Sequence, residues 1–252
     1  MPIRISKPSH QSLYIEMRAN GHTIARGTAF VASSSSGRNF LLTNRHNVTG
    51  RHQETGEILC KKTAAVPDSL VVWHNSSAGL GKFIGIDVPL LAGDAPQWIE
   101  HPVLRESADF VALPITLCQE VALYPYQPEY LAHMNIAPAE AVSVVGFPFG
   151  ERTGASFAVW ATGFVATEPE IDHGDRPVFL IDCRSRKGQS GSPVIQYHSG
   201  GGVITHENGT EVVSPISRLL GIYSGRINDE SDLGVVWKAY AIAELLDYAS
   251  AP

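Results

Sequence analysis

The sequence of 252 residues contains little cysteine, little charge and no long apolar run. Its three cysteines, Cys60, Cys118 and Cys183, cannot all pair with one another, which excludes a disulfide-rich secreted scaffold. No segment approaches the roughly 20 apolar residues that cross a bilayer, so we expect no membrane association. The net charge of −6 disfavours nucleic acid as a partner, because nucleic-acid binding requires a basic surface.

The amino-terminal segment also lacks the features of a secretion signal. Residues 1–10 contain no apolar core followed by a small-residue cleavage site. Together with the scarcity of cysteine, this predicts a reduced protein of the cytoplasm.

Glycine and proline, in contrast, are frequent. The chain has 23 glycines and 16 prolines, and only 17% of its residues are charged, which is typical of many short strands joined by tight turns. Its length suffices for one large domain or for two small barrels that share a cleft. Near the carboxyl end, Ile242, Leu245, Leu246 and Ala249 follow a helical spacing and predict an amphipathic helix.

The most informative segment surrounds Ser190. Gly188 and Gly191 flank this serine, and Pro193 opens an apolar run directly after it. Such a turn can hold a nucleophilic serine ahead of a buried strand. Glycine permits the backbone dihedrals by which the amides of Gly188 and Ser190 would face a developing oxyanion. Taken alone, the pattern also fits an ordinary surface turn.

A nucleophilic serine needs a base, and the base needs a group that orients it. His46 follows a predicted strand over 39–44, at whose end an imidazole can project into a cleft. Asp109 directly precedes the apolar run 110–115, where a buried carboxylate without a partner would be costly. The three residues, in the order His, Asp, Ser, predict a catalytic triad.

On these motifs the chain resembles the chymotrypsin-like (trypsin-fold) serine peptidases, in particular the bacterial trypsin-like peptidase domains. The segments similar to the family are 27–30, 43–46, 109–113, 145–148, 188–193, 220–225 and 234–237. The resemblance implies an all-β fold of two antiparallel six-stranded barrels with a carboxyl-terminal α-helix, in one peptidase domain over 1–252. Its expected parts are barrel one at about 11–123, a connection at about 124–140, barrel two at about 141–237 and the helix at about 238–249.

The resemblance also implies an activity. The chain would be a serine endopeptidase that acts on proteins or peptides through an acyl-enzyme, with His46, Asp109 and Ser190 as catalytic residues. Gly188 and Ser190 would form the oxyanion hole, and Ser224 would support Asp109. No cofactor or metal is expected, since the sequence has no His-Glu-x-x-His motif and no paired-cysteine spacing. Whether a regulatory protein also binds stays open.

The residues that the resemblance assigns to substrate binding are Arg184, Ser185, Tyr223, Ser224, Gly225 and Arg226. With Arg184 at the base of the pocket and Arg186, Lys187 and Arg226 nearby, the cations favour an acidic residue before the scissile bond (P1). A preference for a small, apolar or basic P1 residue stays open as well, because Arg184 can instead pair with Asp182 or Asp172. Tyr223 also stands where glutamyl endopeptidases have a histidine.

Gln189 departs from the pattern of the digestive relatives. They have an aspartate there, which pairs with a new terminal amine after zymogen cleavage. Because an amide cannot form this ion pair, we do not expect activation by removal of a propeptide. Two alternatives to the peptidase remain: a catalytically silent fold that serves as a peptide-binding or partner-docking module, and an esterase that uses the same triad on small acyl substrates.

Overall fold

The computed structural model describes residues 5–115, 118–128, 136–154, 156–200, 202–206, 209–213, 215–228 and 230–251. The elements of the first half are α1 Lys7–Gln11, β1 Ser12–Ala19, β2 His22–Ser33, β3 Asn39–Thr43, α2 Arg45–Thr49, β4 Ser69–Ser76, β5 Phe83–Pro89, β6 Leu91–Ala92, β7 Ala95–Pro96, β8 Val111–Pro114 and β9 Val121–Ala122. Those of the second half are β10 Ala141–Gly146, a 3-10 turn Pro148–Gly150, β11 Val159–Val165, β12 Val178–Asp182, β13 Pro193–His198, β14 Gly202–His206, β15 Gly209–Val213, β16 Ile216–Arg226, β17 Leu233–Lys238 and α3 Ala239–Ser250.

The second half confirms the predicted six-stranded barrel. Its antiparallel strands close in the order β10-β11-β12-β17-β16-β13. Every second side chain points inward, so that Val144, Phe179, Ile181 and Val194 are fully buried in the barrel core. The short hairpin of β14 and β15 lies outside the barrel path.

The first half differs from the closed barrel that the sequence predicted. Its antiparallel strands follow the order β5-β4-β1-β2-β3-β8, and β5 and β8 at the two ends do not pair. Instead, the amide of Gln97 donates to the carbonyl of Leu90, and Ile99 pairs with Ala112 of β8. β8 has only four residues and ends in Pro114, which lacks a donor for further pairing. This half is therefore a curled half-barrel.

An apolar cluster joins the two halves and the carboxyl-terminal helix. Phe30 from the first half and Phe147 from the second are both fully buried in it. Helix α3 adds Ile242 and Leu245, which confirms the helix predicted from their spacing. The halves thus pack as one body, and the cleft between them carries the candidate site.

The predicted connection at about 124–140 includes residues 129–135, which lie outside the described residues. Among the helices of the described ranges, none combines the length and apolar character needed to cross a membrane.

Candidate active site

His46 lies in the first turn of α2, directly after β3. Asn44 precedes this helix, and its buried side-chain amide donates to the backbone carbonyl of Asp109 at 2.6 Å. Gly50 ends the helix in the left-handed conformation, at φ 64°, and its amide donates to the His46 carbonyl at 3.0 Å. The short helix thereby fixes the backbone of His46 at the edge of the cleft.

Asp109 is 2% exposed, and its carboxylate accepts three hydrogen bonds. Its Oδ1 accepts from the His46 backbone amide at 3.0 Å, and its Oδ2 accepts from His46 Nδ1 at 2.7 Å. Ser224 Oγ donates to the same Oδ2. Because the carboxylate only accepts, it places the proton of the neutral imidazole on Nδ1 and leaves Nε2 as the basic atom.

Ser224 reaches Asp109 through an irregularity in the second barrel. Where β16 pairs with β17, Tyr223 is opposite Val236 and Gly225 is opposite Val235, so Ser224 has no partner across the strands. Such a bulge re-aims a side chain that regular pairing would direct elsewhere. The second barrel in this way supplies a donor to a carboxylate of the first.

Ser190 lies on the turn between β12 and β13. Thr28 of β2 donates its amide to the Ser190 carbonyl at 3.0 Å, which ties the turn to the first half. A bond of 3.0 Å from the amide of Ser192 to the carbonyl of Gln189 closes the turn. Gly191 has φ 86°, and a Cβ at this position would overlap the Thr28 carbonyl. The close approach of two backbones therefore requires glycine here.

The amides of Gly188 and Ser190 are oriented by carbonyl groups on their own peptide planes. The Lys187 carbonyl accepts from the Phe149 amide at 2.5 Å, so the Gly188 N–H of the same peptide points in the opposite direction. The Gln189 carbonyl, engaged within the turn, orients the N–H of Ser190 in the same manner. In the described part of the chain neither amide donates a hydrogen bond elsewhere. Both are available to an oxyanion.

Ser190 and His46 line one cavity of about 570 Å³. The Ser190 hydroxyl lies 3.4 Å from the Ser224 carbonyl oxygen, a long hydrogen bond, and the described residues show none between Ser190 and His46. Catalytic hydrogen bonds are often loose before substrate binds. The arrangement thus brings the predicted base and its orienting acid together, and the serine lines the same cavity.

Ser185 and Tyr223, which the sequence assigned to substrate binding, both line this cavity. Both are buried, and their hydroxyl groups are hydrogen-bonded to each other. Burial raises the pKa of Tyr223 to about 12, so its hydroxyl stays neutral. Ser224, Gly225 and Arg226 also line the cavity. Five of the six expected residues therefore lie together.

Arg184, the sixth, does not lie at the base of the pocket as expected. Its side chain is 85% exposed, and its Nε lies 3.8 Å from Asp232 Oδ2. Side chains after β12 alternate, with Cys183 and Ser185 buried and Arg184 exposed between them. Because successive side chains of an extended segment point to opposite sides, Ser185 faces the cavity and Arg184 faces solvent.

The cavity wall carries more positive than negative side chains. Its cations are Arg176, Arg186, Lys187 and Arg226, and its acids are Glu54 and Asp109. Arg176 lies 4.0 Å from Glu54, and Arg186 lies 3.6 Å from Asp232. The wall is positive although the chain as a whole has a net charge of −6.

Part of the wall comes from loops that the sequence did not indicate. The residues that we had not predicted include His52, Gln53, Glu54 and Leu59 after α2, and His173 and Arg176 before β12. They belong to opposite halves, and the contact of Glu54 with Arg176 joins the two loops. Loops have no periodicity from which a sequence could place them in a cleft.

Gln189 is fully buried beside Ser190. Its side-chain oxygen accepts from the backbone amide of Arg186 at 2.7 Å, so it holds the turn from within. Across the described ranges, no group of three or more His, Cys, Asp or Glu side chains could hold a metal ion.

Comparisons with known proteins agree with the fold. A family model, described as a trypsin-like peptidase domain, matches residues 27–209. No sequence among the curated proteins matches the chain. The comparisons with solved structures, in contrast, give matches over nearly the whole chain.

Three of these structures illustrate the similarity. The Rv3671c protease from M. tuberculosis in its active form is 21% identical, with a TM-score of 0.52 over 97% of this chain and 83% of that chain. Deg5 is 14% identical, with a TM-score of 0.58 over 97% of this chain and 93% of its own. The serine endoprotease from Yersinia pestis is 12% identical, with a TM-score of 0.54 over 98% of this chain and 67% of its own. At these identities the similarity shows a shared fold.

Proposed function

We propose that this chain, which belongs to the trypsin-like peptidase family, is a serine endopeptidase that cleaves peptide bonds through an acyl-enzyme. One observation carries the proposal: the hydrogen bond of 2.7 Å between His46 Nδ1 and Asp109 lies at the cavity that Ser190 also lines. Family membership implies protein or peptide substrates. The residue assignments are the part that we add.

In the proposed mechanism, each group acts on a defined atom. His46 Nε2 takes the proton of Ser190 Oγ as this oxygen attacks the scissile carbonyl, and Asp109 orients and stabilises the imidazolium. The amides of Gly188 and Ser190 stabilise the oxyanion of the tetrahedral intermediate. His46 then protonates the leaving amine, and a water molecule repeats the sequence to release the acyl group.

We also propose that the enzyme prefers an acidic P1 residue. With Arg184 on the outside, the preference rests on Arg226, with Arg186 and Lys187 on the same wall. A substrate carboxylate beside these groups gains charge-assisted hydrogen bonds. The hydroxyls of Ser185 and Tyr223 are neutral and bond to each other, which leaves one O–H as a further donor without an opposing charge.

One observation favours the alternative of a catalytically silent peptide-binding module. The Ser190 hydroxyl points to the Ser224 carbonyl rather than to His46. In such a module the cleft would bind peptides and release them uncleaved. Detection of cleaved peptides distinguishes the two functions, because only the enzyme produces them.

A peptide library tests the proposal. Wild-type protein should cleave peptides from a proteome digest, and Ser190→Ala protein should not, since the serine is the attacking group. Ser36→Ala, a change in an exposed turn of the first half, is the matched control and should cleave like wild type. Peptides bound but left intact by the wild-type protein would favour the silent module, and equal cleavage by Ser190→Ala would refute the assignment.

A further inference from the structure

A second cavity lies in the first half, where β5 and β8 do not pair. It measures about 180 Å³ and shares no lining residue with the catalytic cleft. Its apolar walls include Ile86 and Val88 of β5, Leu113 of β8 and Leu41 of β3. Because the half-barrel is open at this seam, the cavity can be reached from outside without disturbing a strand pair.

His74 gives this cavity a polar group. It lies on β4 on the same face as Leu70 and Val72, both fully buried in the apolar core of this half. The residue is 4% exposed, and it is one of those that line the cavity. Burial lowers the pKa of His74 to about 4, so the ring is neutral near neutral pH. A neutral imidazole has one N–H donor and one acceptor nitrogen, so it can hydrogen-bond to a polar group of a ligand that enters the cavity.

We propose that this cavity binds a small neutral molecule with an apolar body and a single hydroxyl group, and that the hydroxyl hydrogen-bonds to His74. A hydroxyl both donates and accepts, so it matches either tautomer of the ring. An apolar cavity of about 150 Å³ is large enough for a benzene ring, so the volume here suits a ring with one or two substituents. Among the described residues, those that line the cavity include no lysine or arginine that would attract an anionic ligand.

The walls connect this site to the strands that carry the catalytic pair. Leu41 and Leu113 are direct partners in the pairing of β3 with β8. Along the chain, β3 leads into His46, and Asp109 precedes β8. A ligand packed against the two leucines therefore contacts the strand pair that holds His46 and Asp109, and it stabilises the native state by mass action.

Two probes of the same shape test the site. The probes p-cresol and toluene differ by one hydroxyl group, and their binding to the full chain can be followed through the imidazole NMR signals. We expect p-cresol to shift the His74 signal but not that of the exposed His22, and to bind about fivefold more tightly than toluene, as one hydrogen bond of about 1 kcal/mol requires. In His74→Leu protein the preference for p-cresol should vanish while both probes still bind. The Ser190→Ala protein serves as background, so the result does not depend on peptidase activity.

Two results would overturn the proposal. One is a cavity that takes up neither probe, which would mean that only water occupies it; the other is equal affinity of wild-type protein for p-cresol and toluene. If the His74→Leu protein does not fold, the relative affinities of wild-type protein for p-cresol and toluene still test the proposal. Ile115→Phe, which fills the cavity and retains His74, should then abolish binding of both probes; unchanged binding would place them elsewhere.

Discussion

Asp109 and His74 are both buried polar side chains of the first half, with opposite surroundings. The carboxylate of Asp109 accepts three hydrogen bonds, from His46 twice and from Ser224 once. For His74, the only cause that shifts the pKa is burial. A buried ionisable group is stabilised in its charged form by donors or opposite charge, and it loses the charge without them. Asp109 is thus suited to stabilise an imidazolium, whereas His74 resists protonation.

This contrast predicts how stability depends on pH. His74 has a pKa near 4 in the folded chain and 6.5 as its ordinary value, so the unfolded chain binds more protons between these limits. The free energy of unfolding should therefore fall as the pH drops from about 6.5 to 4, by about 3 kcal/mol in total from this residue. Urea unfolding of wild type and His74→Leu at several pH values measures the difference. His22→Leu, at an exposed position, is the control, and a pH dependence unchanged in His74→Leu would contradict the account.

A second prediction for a single residue concerns Gly188. It has φ 97°, and a Cβ would overlap the Phe147 carbonyl, so Gly188→Ala must move the turn that presents its amide. Loss of one oxyanion donor lowers kcat by about 100- to 1,000-fold, with little change in KM. Steady-state kinetics on a cleaved peptide give both values. Gly200→Ala, where a Cβ meets open space, should leave them unchanged; equal losses in the two variants would disprove the role of the Gly188 amide.

Among the elements, the nucleophile turn is held by contacts from both halves. Thr28 of β2 donates its amide to the Ser190 carbonyl and its hydroxyl to the Gly188 carbonyl, at 3.0 and 2.9 Å. Gln189 bonds to the Arg186 amide within the turn. These contacts maintain the turn without an ion pair to a terminal amine.

The turn should therefore be competent without cleavage of the chain. Protein that retains an amino-terminal tag should react with a serine-directed phosphonate at the same rate as protein from which the tag has been removed. The rates can be measured by intact mass against time. Reaction that begins only after cleavage of the chain would show that a new terminus is needed.

How well the sequence predicts the structure also differs from element to element. The spacing of Ile242 and Leu245 was enough to predict α3, because a long amphipathic helix has a strong periodic signal. The opening between β5 and β8 was not predictable, since it depends on how residues 97–99 pair with their neighbours. Arg184 was misplaced by one residue, and in an extended segment this error exchanges the inward and outward faces. Motifs therefore located the candidate triad, while the cavity wall required the fold.

For the whole molecule, the distribution of charge matters more than its total. A net charge of −6 coexists with a cleft wall that carries four arginine and lysine side chains. Charges that line a cleft focus the potential there and act on a substrate through it. The cleft should consequently attract acidic peptides although the chain is acidic.

The proposed preference for an acidic P1 residue rests on this distribution. Arg226→Gln should lower kcat/KM for a Glu or Asp at P1 by roughly tenfold or more, since a charge-assisted hydrogen bond contributes about 1.5–3 kcal/mol. Arg184→Gln removes the same charge from a side chain outside the cavity and should have little effect. A peptide set that varies only at P1 measures both. Cleavage mainly after Lys, Arg or large apolar residues would rule out the acidic preference.

Covalent labelling tests most directly whether Ser190 is a nucleophile activated by His46. A fluorophosphonate forms a bond to the serine oxygen only where a base and an oxyanion site assist the attack. Intact-mass analysis should show one adduct on wild-type protein, none on Ser190→Ala, and a rate on His46→Ala lower by several orders of magnitude. Ser36→Ala should be labelled like wild type. An adduct on Ser190→Ala as strong as on wild type, or a wild-type protein that stays unlabelled, would contradict the account.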